Sequence, residues 1–515
     1  MANQHVFAST RGRFVPPANA TNEAGGTAYL RDAKSALALY VTTGCLNGVF
    51  YAEAEAQLSQ VLAMCETVPA EFVAKAAIHA RQRAYMKDMP ALLMAYLAQR
   101  DGDMMARAFE RVIDNGRMLR NFVQILRSGA VGRKSLGTRP KRLVQRWLER
   151  SSVPAVLGAS VGRNPSLADV IKMVHPKPAD AERAALYAWL IGKAYRAEAL
   201  PAVVRDFEAF KSSAGAPVPD LPFQFLTALP LTDEHWKVIA RRASWQTLRM
   251  NLNTLARRGV FADADLVAQV AARLRDENEI RRARVFPYQL MAAYNAASAG
   301  MPQAILDALQ DAMELATANV PSVDGRVVVA VDVSGSMNSP VSGHRKGATS
   351  TVRCVDVAAL LAACVKRVNP DARILPFAES VKALRLNPRD SVMTQAQRMS
   401  ALCGGGTCIS APLAMLNGER MAVDLLVVVS DNQSWADTRS AGGTETMRQW
   451  AQIKSRCPAA RMVCIDLQPY ATSQMVESQD VTHVGGFSDA VFDLLSSADG
   501  TRAPRWAERI EAIAL

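Results

Sequence analysis

The run Arg326-Val-Val-Val-Ala-Val-Asp332 continues as Val-Ser-Gly-Ser336. Five consecutive small or β-branched apolar residues, without polar alternation, read as a strand buried on both faces of a parallel sheet. Asp332, Ser334 and Ser336 then place three oxygen side chains on one side of a tight loop, with Gly335 easing the turn. In an α/β fold such a loop lies at the carboxyl edge of the sheet, where ligands bind. One carboxylate and two hydroxyls are hard donors suited to Mg²⁺.

Downstream, strand and helix alternate. A helical segment over 355–368 precedes a short strand over 372–377, and another helical segment ends at Leu402. Then come a strand over 423–430, a helix around 444–454, a strand over 461–466 and a last helix over 488–497. About 190 residues of this alternation predict a doubly wound α/β domain. Two further elements complete the candidate metal set. Gly404-Gly405-Gly406-Thr407 offers a hydroxyl from a flexible loop, and Asp431 follows the 423–430 strand. Together these residues resemble the metal-ion-dependent adhesion site of von Willebrand factor A domains. That resemblance implies that Ser334, Ser336 and Thr407 coordinate Mg²⁺ or another divalent cation, with Asp332 and Asp431 holding it directly or through water. With so few carboxylates the ion would keep an open position for a ligand carboxylate or phosphate. No general base or nucleophile accompanies the set, so a binding role is expected and not catalysis.

Upstream of the boundary near 320–325 the chain reads differently. From about 28 to about 318, apolar residues recur at three- and four-residue spacing, as over 52–68, 70–85 and 117–127. Pro69, Pro90, Gly116, Gly129, Pro165, Pro201, Pro230 and Gly259 separate the segments. Helices of this size without a strict period suggest an irregular solenoid of the HEAT type. The domain reading is therefore an N-terminal arm over 1–27, a helical region over 28–322 and an A domain over 323–515.

Charge separates the halves as well. The whole chain has 515 residues and a net charge of +12. Residues 1–300 carry 40 basic and 26 acidic side chains, a net +14, and residues 301–515 a net −2. The stretch 101–150 alone holds 12 basic and 5 acidic residues. Such concentration points to a polyanionic partner. In the helix from Thr138, the residues Leu143, Val144, Trp147 and Leu148 form an apolar stripe expected in the core. Arg142, Arg146 and Arg150 recur every four residues on another face. With Arg133, Lys134, Arg139 and Lys141 they make a basic strip suited to phosphates, and Arg can also stack on exposed bases.

Other classes recede. Half the residues are hydrophobic and 6% aromatic, which excludes a mostly disordered chain. Apolar runs such as 327–331 and 425–429 have only strand length, and no membrane association is expected. The first fourteen residues contain no apolar signal core, so a cytoplasmic location is expected. The eight cysteines form no CxxC and read as buried small hydrophobes. A chelatase-type or AAA-linked enzyme subunit is a further reading, but GxxxxGK[ST] does not occur, so ATP hydrolysis by this chain is not expected.

A basic helical region followed by this A domain resembles the Ro ribonucleoprotein autoantigen family, whose N-terminal part is the TROVE domain. Gly25-Gly26-Thr27-Ala-Tyr29 is similar to that family's GGTYY, and Val174-His175-Pro-Lys177-Pro178 to its SHLKP. Arg163-Asn164, Asn251-Leu252 and Arg284-Val-Phe-Pro287-Tyr288 resemble further segments. Asp332 to Met337, Gly405-Gly406-Thr407 and Asp431-Asn432 resemble the family's DVSASM, GGTD and DNE. The resemblance covers nearly the whole chain, and the order of segments is more specific than any one of them. Cys408 and Gln433 depart from it, each removing a negative charge near the metal.

The resemblance implies a HEAT-like ring closed by the A domain, working as a monomer and not as an enzyme. Small Y-like RNAs would bind its outer surface, single-stranded 3′ ends of misfolded RNAs would enter the hole, and an exoribonuclease would be a partner. It adds Arg163, His175 and Lys177 to the candidate RNA contacts. An alternative reading is a protein-binding adaptor whose A domain grips a partner carboxylate through Mg²⁺.

Overall fold

The computed structural model describes residues 15–44, 53–213, 215–283, 285, 287–317, 320, 322–341, 352–436, 443–486, 491 and 505–515. Its strands, in chain order, are β1 (Ala20–Thr21), β2 (Thr27–Leu30), β3 (Val327–Asp332), β4 (Arg373–Phe377), β5 (Leu425–Ser430), β6 (Arg461–Asp466), β7 (Thr472–Ser473) and β8 (Val481–Gly485). Every residue of β3 and β5 is buried, which explains their unbroken apolar sequences.

The chain divides into two compact units. One comprises Met1–Val68, Ile280–Ala296 and Leu309–Ile513. Its main sheet is parallel, in the order β4-β3-β5-β6-β8. Helices Cys354–Val368, Val392–Ser400, Ser410–Gly418 and Glu445–Arg456 accompany it. The four strands expected over 326–466 form with ends shifted by at most two residues. Apart from Val491, the expected helix over 488–497 lies outside the described residues. Strand β8 was not anticipated, though Val481-Thr-His-Val484 is a β-prone run.

A second sheet, β1-β2-β7, is antiparallel and joins the start of the chain to the A-domain region. Residues 27–30, expected near the start of a helix, are thus a strand that pairs Tyr29 with Ser473 and Leu30 with Thr472. The turn before it explains the paired glycines. Gly25 has φ +82°, and a Cβ on Gly26 would come 2.0 Å from the Ser434 carbonyl oxygen. Asn22 donates from Nδ2 to that same oxygen at 2.7 Å. Tyr29 enters the core beside Trp450, Met447 and Leu426, and its hydroxyl donates to the Pro16 carbonyl at 2.8 Å. Arg31 forms a buried ion pair with Asp466 at 2.9 Å. The expected arm over 1–27, where described, and the segment to Val68 therefore belong to the same compact unit as the sheet.

The other unit comprises Pro69–Glu279, Ala297–Ala308 and Ala514–Leu515. Its early helices are Ala70–Gln82, Asp88–Arg100, Gly102–Val112, Gly116–Ser128, Thr138–Arg150 and Val153–Ser160. Helix Ala70–Gln82 packs on both Asp88–Arg100 and Gly102–Val112. Beyond that the partner is again two helices on: Asp88–Arg100 meets Gly116–Ser128, Gly102–Val112 meets Thr138–Arg150, and Gly116–Ser128 meets Val153–Ser160. This is the stacking of a helical solenoid. Asp101, Asn115, Ser152 and Ser166 cap their helices through side-chain oxygens, each contributing about 1 kcal/mol.

Candidate metal centre and nucleic-acid interface

Parallel register aligns the ends of β3 and β5, with Val331 opposite Val429. After β3 the chain crosses to β4 on one side, and then returns to β5 on the other. Asp332 and Asp431 thus flank the crevice where the strand order reverses, the usual ligand position in such sheets.

Five expected ligands come to this edge. Asp332, Ser334, Ser336, Thr407 and Asp431 are all buried. Asp332 Oδ1 accepts from the Ser334 N–H at 2.8 Å, and its Oδ2 from the Ser430 hydroxyl at 2.5 Å. The Ser334 and Ser336 hydroxyl oxygens are 3.3 Å apart. Two backbone bonds knit this loop to the glycine loop: Gly335 N–H to Gly405 O at 2.9 Å, and Gly404 N–H to Val333 O at 2.8 Å. The Thr407 carbonyl accepts from the Ser434 hydroxyl and from the N–H groups of Trp435 and Ala436, which fixes the threonine backbone.

Electrostatics make this edge costly for a bare protein. Burial, and then the neighbouring charge of Asp332, push the Asp431 carboxyl up to about 7. Burial also raises Asp332. Asp431 Oδ1 accepts a long bond from the Gln433 N–H at 3.3 Å, and Oδ2 is buried without a hydrogen-bond partner among the described residues. Two apposed carboxylates, one with an orphaned oxygen, beside three hydroxyls fit a divalent cation, which would offset both charges. Among the described residues no three His, Cys, Asp or Glu side chains gather in one place, so the donor set rests on hydroxyls.

The two departures have local partners. Gln433 Oε1 accepts from the Glu23 N–H at 2.9 Å, so this residue helps seat the N-terminal turn. Cys408 lies 3.5 Å from the Ser410 hydroxyl. Beside the glycine loop, Trp435 is 50% exposed, and a Cβ on Gly406 would meet its ring at 2.6 Å.

The basic strip sorts into three groups. Lys134, Lys141 and Arg142 line a cleft of about 750 Å³, joined by Arg127 from the end of the preceding helix. Arg127 was missed in the sequence, although it lies within the most basic stretch. The cleft takes in the start of helix Thr138–Arg150, where Gly137 provides no side-chain cap for the first N–H groups. No carboxylate lines it among the described residues.

Two arginines are ion-paired: Arg139 with Asp103 at 3.0 Å and Arg150 with Glu110 at 2.7 Å. Arg133 is a structural clamp, donating to the carbonyls of Ala98, Ser135 and Leu136. Arg146 lines a separate cleft with Trp147, which is half-buried and not in the core as its spacing suggested.

His175 ends helix Leu167–Val174 in a left-handed conformation, φ +51°, with its side chain exposed. Gln145 Nε2 donates to the Val174 carbonyl at 2.6 Å and tethers this turn to the strip. Lys177 is exposed two residues on, and Arg163 is exposed in the loop after Val153–Ser160, outside the cationic cleft.

Comparison with known proteins adds independent information. The family model of the Ro60 vWA domain matches residues 326–497. The RNA-binding protein RO60 of Deinococcus radiodurans is 27% identical over 512 residues, covering 92% of this chain and 94% of the relative. The RNA-binding protein RO60 of Caenorhabditis elegans is 25% identical over 227 residues, 40% of this chain and 34% of that one. The crystal structure of the Ro (RSR) protein of Deinococcus radiodurans matches with a TM-score of 0.61 at 24% identity, over 90% of this chain and 99% of that one, and shows the shared fold.

Proposed function

We propose that this chain, similar to RNA-binding Ro proteins over 92% of its length and matching the Ro60 vWA domain model over 326–497, is a non-enzymatic RNA-binding scaffold. The carrying observation is the cleft of Arg127, Lys134, Lys141 and Arg142, lined by no acid among the described residues and opened by an uncapped helix N-terminus. Lysine and arginine attract the backbone phosphates, and the helix N–H groups donate to a phosphate oxygen. His175 and Lys177 extend the surface from the tethered turn. The preferred ligand is a small structured, Y-like RNA on this basic face. Single-stranded 3′ ends in a central ring hole, a monomeric ring and an exoribonuclease partner complete the proposal on the strength of the family resemblance. The role is RNA quality control.

The test is fluorescence anisotropy with a small stem-loop RNA. The double change Lys134→Ala with Arg142→Ala should weaken binding about tenfold or more at moderate salt, with thermal unfolding unchanged. Wild-type affinity in that variant would remove the cleft from the RNA interface.

At the sheet edge, Asp332, Ser334, Ser336, Thr407 and Asp431 would hold Mg²⁺ or a similar cation. Bound there, it would supply a Lewis-acidic position for a ligand oxygen. The exposed Trp435 beside that edge favours a second reading, in which the A domain grips an acidic residue of a partner protein. A stoichiometric, nuclease-resistant partner in native preparations would support it.

A further inference from the structure

Helices Gly102–Val112 and Thr138–Arg150 enclose a cleft of about 280 Å³ that is separate from the cationic one. Its volume lies just below the roughly 300–1,000 Å³ range of small-molecule pockets and suits one flat ring system. Phe109, Ile113 and Leu143 provide apolar walls. Phe109 is held edge-on against Phe122, with ring centroids 5.5 Å apart and planes at 81°. Trp147 lies half-buried along the cleft and offers an indole surface for stacking.

The rim carries charges of both signs. Glu110 and Arg150 pair across it at 2.7 Å, with side chains 59% and 66% exposed, so solvent screens the pair and it opens readily. Arg146 stands one turn before Arg150 and is exposed. Asp114 also lines the cleft but is held by Arg81, whose Nε lies 3.0 Å from both carboxylate oxygens.

From this arrangement we infer that the cleft binds a single unpaired guanine of an RNA ligand. Of the four bases, only guanine presents two adjacent donors, N1–H and N2–H, which a carboxylate such as Glu110 accepts together. Its opposite edge presents the acceptors O6 and N7, which match an arginine fork from Arg146 or Arg150. The ring itself stacks on Trp147. A cationic peptide side chain fits less well, because two arginines border the cleft. The inference rests on the RNA-binding reading and deepens it. The cationic cleft supplies sequence-independent affinity, and this cleft supplies base preference.

The test measures binding of an oligouridylate carrying one central guanosine, of the same strand with inosine or an abasic position there, and of guanosine monophosphate alone. Guanosine should bind about tenfold tighter than inosine, which lacks the N2 amino group. Glu110→Gln should equalise the two. Trp147→Ala should remove the difference between guanosine and the abasic strand but keep the residual affinity and its salt dependence. Trp147→Phe retains an aromatic face and should keep the preference, which guards against a folding defect in the alanine variant. If RNA binds without guanosine preference, or the preference survives Glu110→Gln and Trp147→Ala, the guanine site is wrong and RNA binding stands. If no strand binds wild type while the stem-loop RNA does, the guanine site is wrong and the RNA reading stands; if the stem-loop RNA also fails to bind, the RNA reading fails and takes this site with it. Guanosine monophosphate binding as tightly as the oligonucleotide would assign the cleft to a free nucleotide instead and overturn the inference.

Discussion

The cleft beside helix Thr138–Arg150 keeps three of its four cations exposed, whereas the end of the parallel sheet buries two carboxylates side by side. Exposed charge is solvated and costs the fold little, but its attraction is screened by salt and summed over many weak contacts. Buried charge acts on its nearest neighbours alone, escapes screening and burdens the fold unless a partner arrives. One chain therefore contains two electrostatic designs, with charge of opposite sign. The buried Arg31–Asp466 pair shows what the second design looks like when the partner is built in.

That pair gives the largest expected effect. Arg31→Ala leaves Asp466 buried with, among the described residues, His483 and Asn432 as side-chain partners, and should destabilise the sheet unit by about 3–5 kcal/mol in chemical denaturation. Burial alone would raise the Asp466 carboxyl, but Arg31, and then the His483 bond, hold it below the usual range. Its stabilisation is complete above the unfolded value of about 3.9 and is lost as pH falls through the lower folded value. In the alanine variant acid unfolding should begin at higher pH, and an unchanged profile would mean that the pair is not coupled to stability.

Next in size is the salt response of RNA binding. Four phosphate contacts imply a slope near −3 on a double-logarithmic plot, so raising salt tenfold from about 50 to about 500 mM should cost about three orders of magnitude. A loss below tenfold would place the binding energy outside the cationic cleft. For the sheet edge, Mg²⁺ at about 100 times its dissociation constant should stabilise the protein by about 2.7 kcal/mol. Asp332→Ala should abolish that shift in differential scanning calorimetry, and RNA affinity at constant ionic strength should stay within about twofold. Loss of both functions together would join what the comparison separates.

The smallest effects discriminate within the strip. Arg142→Ala should weaken RNA binding several-fold and reduce the salt slope by about 0.7–1. Arg139→Ala should change affinity less than about twofold, because Asp103 already neutralises it. Equal effects from the two would mean that the Asp103 pair opens on binding.

Much of this was legible in the sequence where the signal is contiguous. The β3 run and the Asp332-Ser334-Ser336 loop are read within eleven residues, and hydrophobic pattern alone located the helical region. Juxtaposition over long distances was not legible. Strands β1, β2 and β7 have two to four residues, and β2 pairs with β7 more than 440 residues away, so no local pattern announces them. Periodicity grouped Trp147 with the core, but neighbouring packing leaves it at a cleft edge. Basic residues could be counted, yet which of them spend their charge on Asp103, Glu110 or main-chain carbonyls depends on residues 30 to 40 positions away.

Strand β2 and Arg31 also set an order of events during biosynthesis. At roughly 5–20 residues per second, the ribosome delivers Asp466 about 20–90 s after Arg31, a separation of 435 residues in the chain. Throughout that interval the nascent strand waits without its edge partner while the intervening helices emerge and fold. The beginning of this protein is thus among the last parts to be finished, and a nascent chain halted before β7 would present an open strand and an uncompensated arginine to whatever holds it.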